Sequence, residues 1–252
     1  MKYETIQVRF QAPVCFIRFN RPELLNAIND VMINEISEVL RDCGESITII
    51  VLEGTPDVFC LGADFQQIQE GNIHSGENSS SALYDLWLSL AEGPYITIAH
   101  VRGKANAGGV GFVVACDLVI TDHSASFSLS ELLFGLYPAC VMPFLIRRIG
   151  FAKANYMALT TKQITAAQAH NWGLVDAIAE DSGALLRQYL LRLRRLSSAG
   201  IRNYKSYMSQ TEHSLKLAKN LAVQSNLDMF SDPLVLSGID RYNRTGKFPW
   251  EE

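Results

Sequence analysis

Residues 104–117 read KANAGGVGFVVACD. Three glycines, Gly108, Gly109 and Gly111, fall within four positions, directly before an apolar run that reads as buried and helical. Glycines in that place let a backbone come close to something. Two readings stay open from these residues alone. Either the helix packs tightly against a neighbour, or its first amides, which the helix itself leaves unpaired, face a ligand.

Outward from this segment, YITIAHVRG before it and DLVITD after it read as strands, with SFSLS adding a short one. YETIQVRF and VCFIRFNRP read as two strands joined by a turn at Gln11–Pro13. NAINDVMINEISEVLRDCG has a helical period stopped by Gly44, and ITIIVLEG follows as a buried strand with VFCLGADF at its far side. A helix around LYDLWLSL comes next. The polar stretch Gly71–Ser81 between them reads as a loop. Strands alternating with helices predict an α/β fold, a mixed sheet layered with helices. From about Pro143 the expectation is nearly all helix: FLIRRIGFAKANYMALT, TAAQAHNWG, Ala184–Arg195 and Ser209–Phe230.

The 252 residues suit one large domain or a core with a small appendage. A hydrophobic content of 48% with 19% charged residues is that of a soluble globular chain. A net charge of −4 argues against nucleic acid as the main partner. The opening MKYETIQVRFQ lacks the apolar core of a signal peptide, and VGFVVACDLVI breaks at Asp117, short of the ~18–20 residues of a membrane span. The five cysteines form no C-x-x-C pair, which fits reduced thiols and a cytoplasmic location. His74, His100, His123, His170 and His213 show no ligand spacing, so no metal is expected. Neither G-x-S-x-G nor a Walker pattern is present, which sets aside serine hydrolases and P-loop enzymes.

FCLGADF offers a second backbone site. Gly62 after a strand and Asp64 capping a helix would leave the Ala63 amide pointing outward, although an ordinary strand–helix junction explains the same residues. Cys60 nearby reads as packing. Taken with Gly108, the Ala63 amide would make an oxyanion hole, worth about 3–4 kcal/mol per donor to a transition state. The chemistry that calls for one here is enolate formation from a thioester. LLRLRRLSSAGIRNYK, with Arg187 upstream, is a positive zone. It is either a solvated face or a dock for an acidic carrier protein or for coenzyme A phosphates.

FNRPELLNAIND, FCLGAD, the glycine segment ending in ACD, SELLFGLYP and AQAHNWGLVD stand in an order and spacing that resemble the crotonase (enoyl-CoA hydratase/isomerase) superfamily. FSDPLVLSGIDRYNRTGKFPW is similar to that family's C-terminal helix and tail, so the resemblance covers essentially the whole chain. It implies a crotonase-like ββα spiral core over residues 1–195, a C-terminal helical trimerisation region over 196–252, and a homotrimer or dimer of trimers. It also implies that the Ala63 and Gly108 amides hold the thioester oxygen. Typical hydratases of the family carry two glutamates; one of those positions is Gly111 here, and the other is Glu131 in SELLFG. Set among leucine and phenylalanine, Glu131 is expected to be desolvated, with a raised pKa suited to proton transfer. The alternative is a cap or a surface carboxylate.

One carboxylate with an oxyanion hole favours elimination of a tertiary hydroxyl over hydration. VFCLGADFQ, LYDLW, SFSLSELLFGLYPAC, DMFSDP and the FPWE ending also resemble the dehydratases of polyketide β-branching cassettes. That resemblance implies dehydration of a 3-hydroxy-3-methylglutaryl group on an acyl carrier protein, with the substrate on a phosphopantetheine arm and no cofactor. Asp64, Tyr84, Asn106 and Tyr137 form the expected substrate-binding set, with Arg102 a further candidate for the free carboxylate. A hydratase or isomerase of free enoyl-CoA esters, or a catalytically silent scaffold, remain the alternatives.

Overall fold

The computed structural model describes residues 3–65 and 76–251. Strands β1 (Ile6–Gln11) and β2 (Val14–Phe19) form an antiparallel hairpin. β1 is largely exposed, as suits a sheet edge, while β2 is buried almost throughout. Beside β2 run β3 (Ile49–Glu53), β5 (Ile96–Val101), β7 (Leu118–Thr121) and β10 (Ala177–Ile178), all parallel. A second sheet contains β4 (Val58–Cys60), β6 (Lys104–Asn106), β8 (Ser126–Ser128) and, antiparallel to β8, β9 (Ile164–Thr165). Each of β3, β5 and β7 passes the chain to a short strand of the second sheet; helices return it from β4 to β5 and from β6 to β7, while after β8 it reaches β9 of the second sheet before β10. This winding is the ββα spiral.

Helix α1 (Asp30–Asp42) starts where the Asn29 side chain accepts from the Met32 amide at 2.9 Å. It buries Met32, Ile33, Ile36, Val39 and Leu40. α2 (Gly76–Glu92) and α3 (Gly108–Ala115) pack on the same sheet face, and α3 is buried from Gly109 onward. A 3₁₀ turn at Glu131–Phe134 leads to α4 (Met142–Ile149), α5 (Phe151–Thr160), α6 (Ala166–Asn171) and α7 (Ser182–Leu193). The chain ends with α8 (Ser198–Thr211), α9 (Ser214–Phe230) and α10 (Pro233–Thr245).

The parallel sheet is covered on both sides, which is why β3 reads as an unbroken apolar run. Cys15, Ile17, Ile50 and Leu52 face the main core with α1, α2 and α3. Val14, Phe16, Ile49, Val51, Ile98 and Ile120 face Leu186 and Leu190 of α7 on the other side. Leu215 and Ala222 of α9 belong to the main core.

Three local expectations are corrected. Ser209–Phe230 is two helices, because α8 ends at Thr211 and α9 begins at Ser214, and α8 itself starts at Ser198 with Ser197 capping Gly200. The run from Phe144 to Thr160 breaks at Gly150, whose φ of 78° leaves the helical region. Of the expected Gly71–Ser81 loop, 71–75 and hence His74 lie outside the described residues, while Gly76–Ser81 is helical. No helix among the described residues is long and apolar enough to cross a membrane.

Candidate active site

A cavity of about 840 Å³ opens where the β2–α1 connection, the end of β4, α2, the start of α3, the 3₁₀ turn and α9–α10 meet. Ala63, Gly108 and Glu131 all line it.

The Ala63 amide is free for a geometric reason. Ile28 and Ala63 form an isolated parallel bridge in which the Ile28 amide donates to the Gly62 carbonyl (2.8 Å) and the Asp64 amide to the Ile28 carbonyl (3.0 Å). In that pattern the N–H of the middle residue, Ala63, has no place in the ladder. Gly108 is the first residue of α3, so its N–H has no intrahelical acceptor. Neither amide donates to any described residue. Gly62 lies at φ 97°, and a methyl there would sit 2.8 Å from the Ala107 Cβ and 3.2 Å from the Gly108 nitrogen, so the two amide segments abut.

Both readings of the glycine segment hold, at different residues. A Cβ on Gly109 would lie 2.0 Å from the Cys60 carbonyl oxygen, so this glycine lets α3 close onto β4. Gly108 carries the free amide. At Gly111 a Cβ would lie 2.3 Å from Cζ2 of Trp87, so the indole fills the space into which a side chain would project.

Glu131 opens the 3₁₀ turn. Its Oε2 is buried and has no partner among the described residues. Burial pushes its carboxyl up to about 7, against which its own amide and that of Ser130 pull weakly downward. The expected desolvation is therefore present. Asn106 holds the turn in place: its amide nitrogen donates to Ser130 Oγ (2.8 Å) and its oxygen accepts from Ser128 Oγ (2.8 Å). Both bonds fix the turn, and Asn106, expected to bind substrate, also lines the cavity.

Asp64 lines the cavity as well, but its carboxylate pairs with Arg21 at 2.8 Å. Apart from Phe65, the helix it was expected to cap lies outside the described residues. Tyr137 lines the cavity with nearly half its surface exposed. Tyr84 is a correction: it is fully buried, donates to the Leu215 carbonyl at 2.7 Å and packs on Phe144, away from the cavity lining. Arg102 does not line the cavity either, and no lysine or arginine does among the described residues. The thiol of Cys60 is buried and pushed up to about 12, consistent with packing.

The basic zone lies elsewhere. Its α7 part covers the sheet face opposite the main core. Arg202 pairs with Glu45, and Lys205 is buried against Asp117 and the Ala91 carbonyl. None of these groups lines the cavity. His100 hydrogen-bonds Glu53 (2.8 Å) and Ser182 (2.9 Å). Ser182 is only 3% exposed at the first turn of α7, so this line of three groups ties α7 to the sheet.

The sequence matches the enoyl-CoA hydratase/isomerase family over residues 9–252. It is 58% identical to the bacillaene synthase dehydratase PksH of Bacillus subtilis (strain 168), covering 99% of this chain and 98% of that protein. The crystal structure of a B. subtilis polyketide-biosynthesis protein, pksH, superposes with a TM-score of 0.94 at 56% identity, over 98% of this chain and 100% of that one. A Mycobacterium leprae probable enoyl-CoA hydratase is 32% identical, over 90% of this chain and 89% of its own length.

Proposed function

The chain belongs to the enoyl-CoA hydratase/isomerase family, and on that premise we propose that it is a hydro-lyase that dehydrates a 3-hydroxyacyl thioester in polyketide biosynthesis. The acyl group is 3-hydroxy-3-methylglutaryl on the phosphopantetheine arm of an acyl carrier protein, and the product is 3-methylglutaconyl. The observation that carries this reading is the desolvated carboxyl of Glu131, its Oε2 buried without a partner among the described residues, in one cavity with two unused amides. Similarity to a bacillaene dehydratase supports the polyketide setting.

The ionised Glu131 takes the proton from the carbon next to the thioester, and the electron pair moves onto the carbonyl oxygen. The Ala63 and Gly108 amides hold that charge, each contributing about 3–4 kcal/mol. The enolate then reforms the carbonyl and expels the β-hydroxyl, which leaves as water with the proton that Glu131 returns. The carboxylate ends as it began, so the cycle needs no cofactor. A pKa near neutrality suits both halves, because the group must be a base first and an acid second. Tyr137 and the neutral amides around the cavity receive the distal carboxylate. Leu217 and Leu221, one turn apart on α9 and 80% and 75% exposed, support the expected self-association, a homotrimer or dimer of trimers acting in the cytoplasm.

The test is incubation with the 3-hydroxy-3-methylglutaryl carrier and mass spectrometry of the arm. Loss of one water by wild type and not by Glu131→Ala is expected. Unchanged mass with both proteins defeats the reading, and equal or faster turnover of the coenzyme A ester favours a hydratase of free esters.

A further inference from the structure

Two polar side-chain atoms that are buried without partners among the described residues belong to cavity-lining groups: Oε2 of Glu131 and Nε1 of Trp87. The third such atom, Thr121 Oγ1, sits on β7 away from the cavity. Trp87 is 1% exposed, and its ring lies over the first turn of α3. A Cβ built on Gly111 would meet Cζ2, Cη2 and Cε2 at 2.3, 2.4 and 2.8 Å, and one on Gly108 would meet Cζ2 at 4.0 Å. Cε2 is the ring carbon bonded to Nε1. The indole thus meets Gly108, whose own amide is one of the two oxyanion donors, at Cζ2, and its unpartnered N–H belongs to a ring that lines the same cavity.

The chemistry of these groups is complementary. An indole N–H only donates, and an ionised carboxylate only accepts. With the thioester oxygen on the amides and the α-proton facing Glu131, the acceptor left on the next carbon of a 3-hydroxyacyl chain is its β-oxygen. We infer that Trp87 donates its indole N–H to the β-hydroxyl oxygen of the bound acyl group and so selects 3-hydroxyacyl thioesters over their 3-unsubstituted counterparts. This rests on the dehydratase reading for the orientation of the acyl chain. Trp87 cannot act as a base. It holds the departing oxygen and shares its developing charge until Glu131 delivers the proton.

The experiment separates this contact from packing. In the Glu131→Gln background, where turnover is blocked, dissociation constants are measured for phosphopantetheine thioesters of 3-hydroxy-3-methylglutarate and 3-methylglutarate, which differ by one oxygen. Trp87 is compared with Trp87→Phe and with a protein in which a benzothiophene ring keeps the indole's shape but lacks its N–H. The indole protein is expected to prefer the hydroxylated ligand by about 10- to 100-fold, because the unsubstituted ligand leaves a buried donor unpaired. Both replacements should abolish the preference by weakening only the hydroxylated ligand.

A preference that survives either replacement overturns the inference. So does equal weakening of both ligands, the result expected if the N–H serves packing against Phe112 and Phe144. Failure of the parent protein to bind either thioester overturns it together with the dehydratase reading. Water loss by wild type without any hydroxyl preference sinks the Trp87 assignment alone, while hydroxyl preference without water loss sinks the dehydratase reading alone.

Discussion

Replacing Glu131 by glutamine should make the protein relatively more stable as the pH rises. Burial holds the carboxyl at about 7, against an ordinary 4.5. At ~1.4 kcal/mol per pH unit, the folded chain binds this proton more tightly than the unfolded chain by about 3 kcal/mol. The sign follows from proton counts. Below 4.5 both states hold the proton, and the acid contributes its full stability. Between 4.5 and about 7 the unfolded chain has released the proton and the folded chain has not, so stability falls with pH until the folded acid ionises. Glutamine has no such proton. Its unpaired N–H₂ costs the same at every pH, so the informative quantity is how the variant-minus-wild-type gap changes. Urea unfolding at about pH 5 and about pH 8 should show that gap moving in favour of the variant by roughly 2–3 kcal/mol, about one molar in midpoint at a slope of ~3 kcal/mol/M. A gap that stays constant, or moves toward wild type, refutes the claim that Glu131 is desolvated in the folded protein.

The same acid should set the rate profile: kcat/KM for dehydration should rise tenfold per unit of pH and level off near 7, measured by product formation at saturating buffer. Converting the Ala63 amide to an ester, which removes one N–H and moves no side chain, should lower kcat by about 10²–10³. That N–H bonds nothing described in the fold, so the stability cost should be confined to the weaker ester carbonyl of Gly62, which accepts from Ile28, at about 1 kcal/mol or less. Gly111→Glu should not install hydration: its Cβ would lie 2.3 Å from Trp87, so about 1–3 kcal/mol of stability should be lost, and Trp87→Ala in the same chain should recover part of it. Tyr84→Phe should cost about 1 kcal/mol of stability with KM unchanged, since its hydroxyl bonds Leu215, whereas Tyr137→Phe should raise KM with stability unchanged.

How much of this was legible in the chain follows from what each feature depends on. Alternating strands and helices, the α1 period and the free amide at Gly108 are local, and they were readable from neighbouring residues. Apolar surroundings near Glu131 in sequence pointed correctly to a desolvated carboxyl. Tyr84 was misread because a tyrosine's sequence neighbours do not tell whether its hydroxyl meets a ligand or a carbonyl 131 residues away. The histidines were set aside because they show no metal-ligand spacing. Yet β3 and β5 are parallel and place Glu53 directly beside His100, across 47 residues, in a register that no spacing rule contains.

The Gly111 position shows the same limit acting on function. An absent glutamate is visible as a letter, and read alone it suits a silent scaffold as well as a one-acid enzyme. What the structure adds is volume. A site that had merely lost a side chain would retain a void or collapse around one, at a cost that grows with the space left empty. Here a tryptophan from another helix, 24 residues earlier, occupies the space so fully that a Cβ at Gly111 would overlap it. The packing around Trp87, edge-on to Phe112 and Phe144, is that of a completed core, and it leaves the indole N–H without a partner among the described residues, on a ring that lines the cavity. The glycine is therefore the counterpart of the indole. A substitution that treats it as a missing catalytic group acts on the packing before it reaches the chemistry.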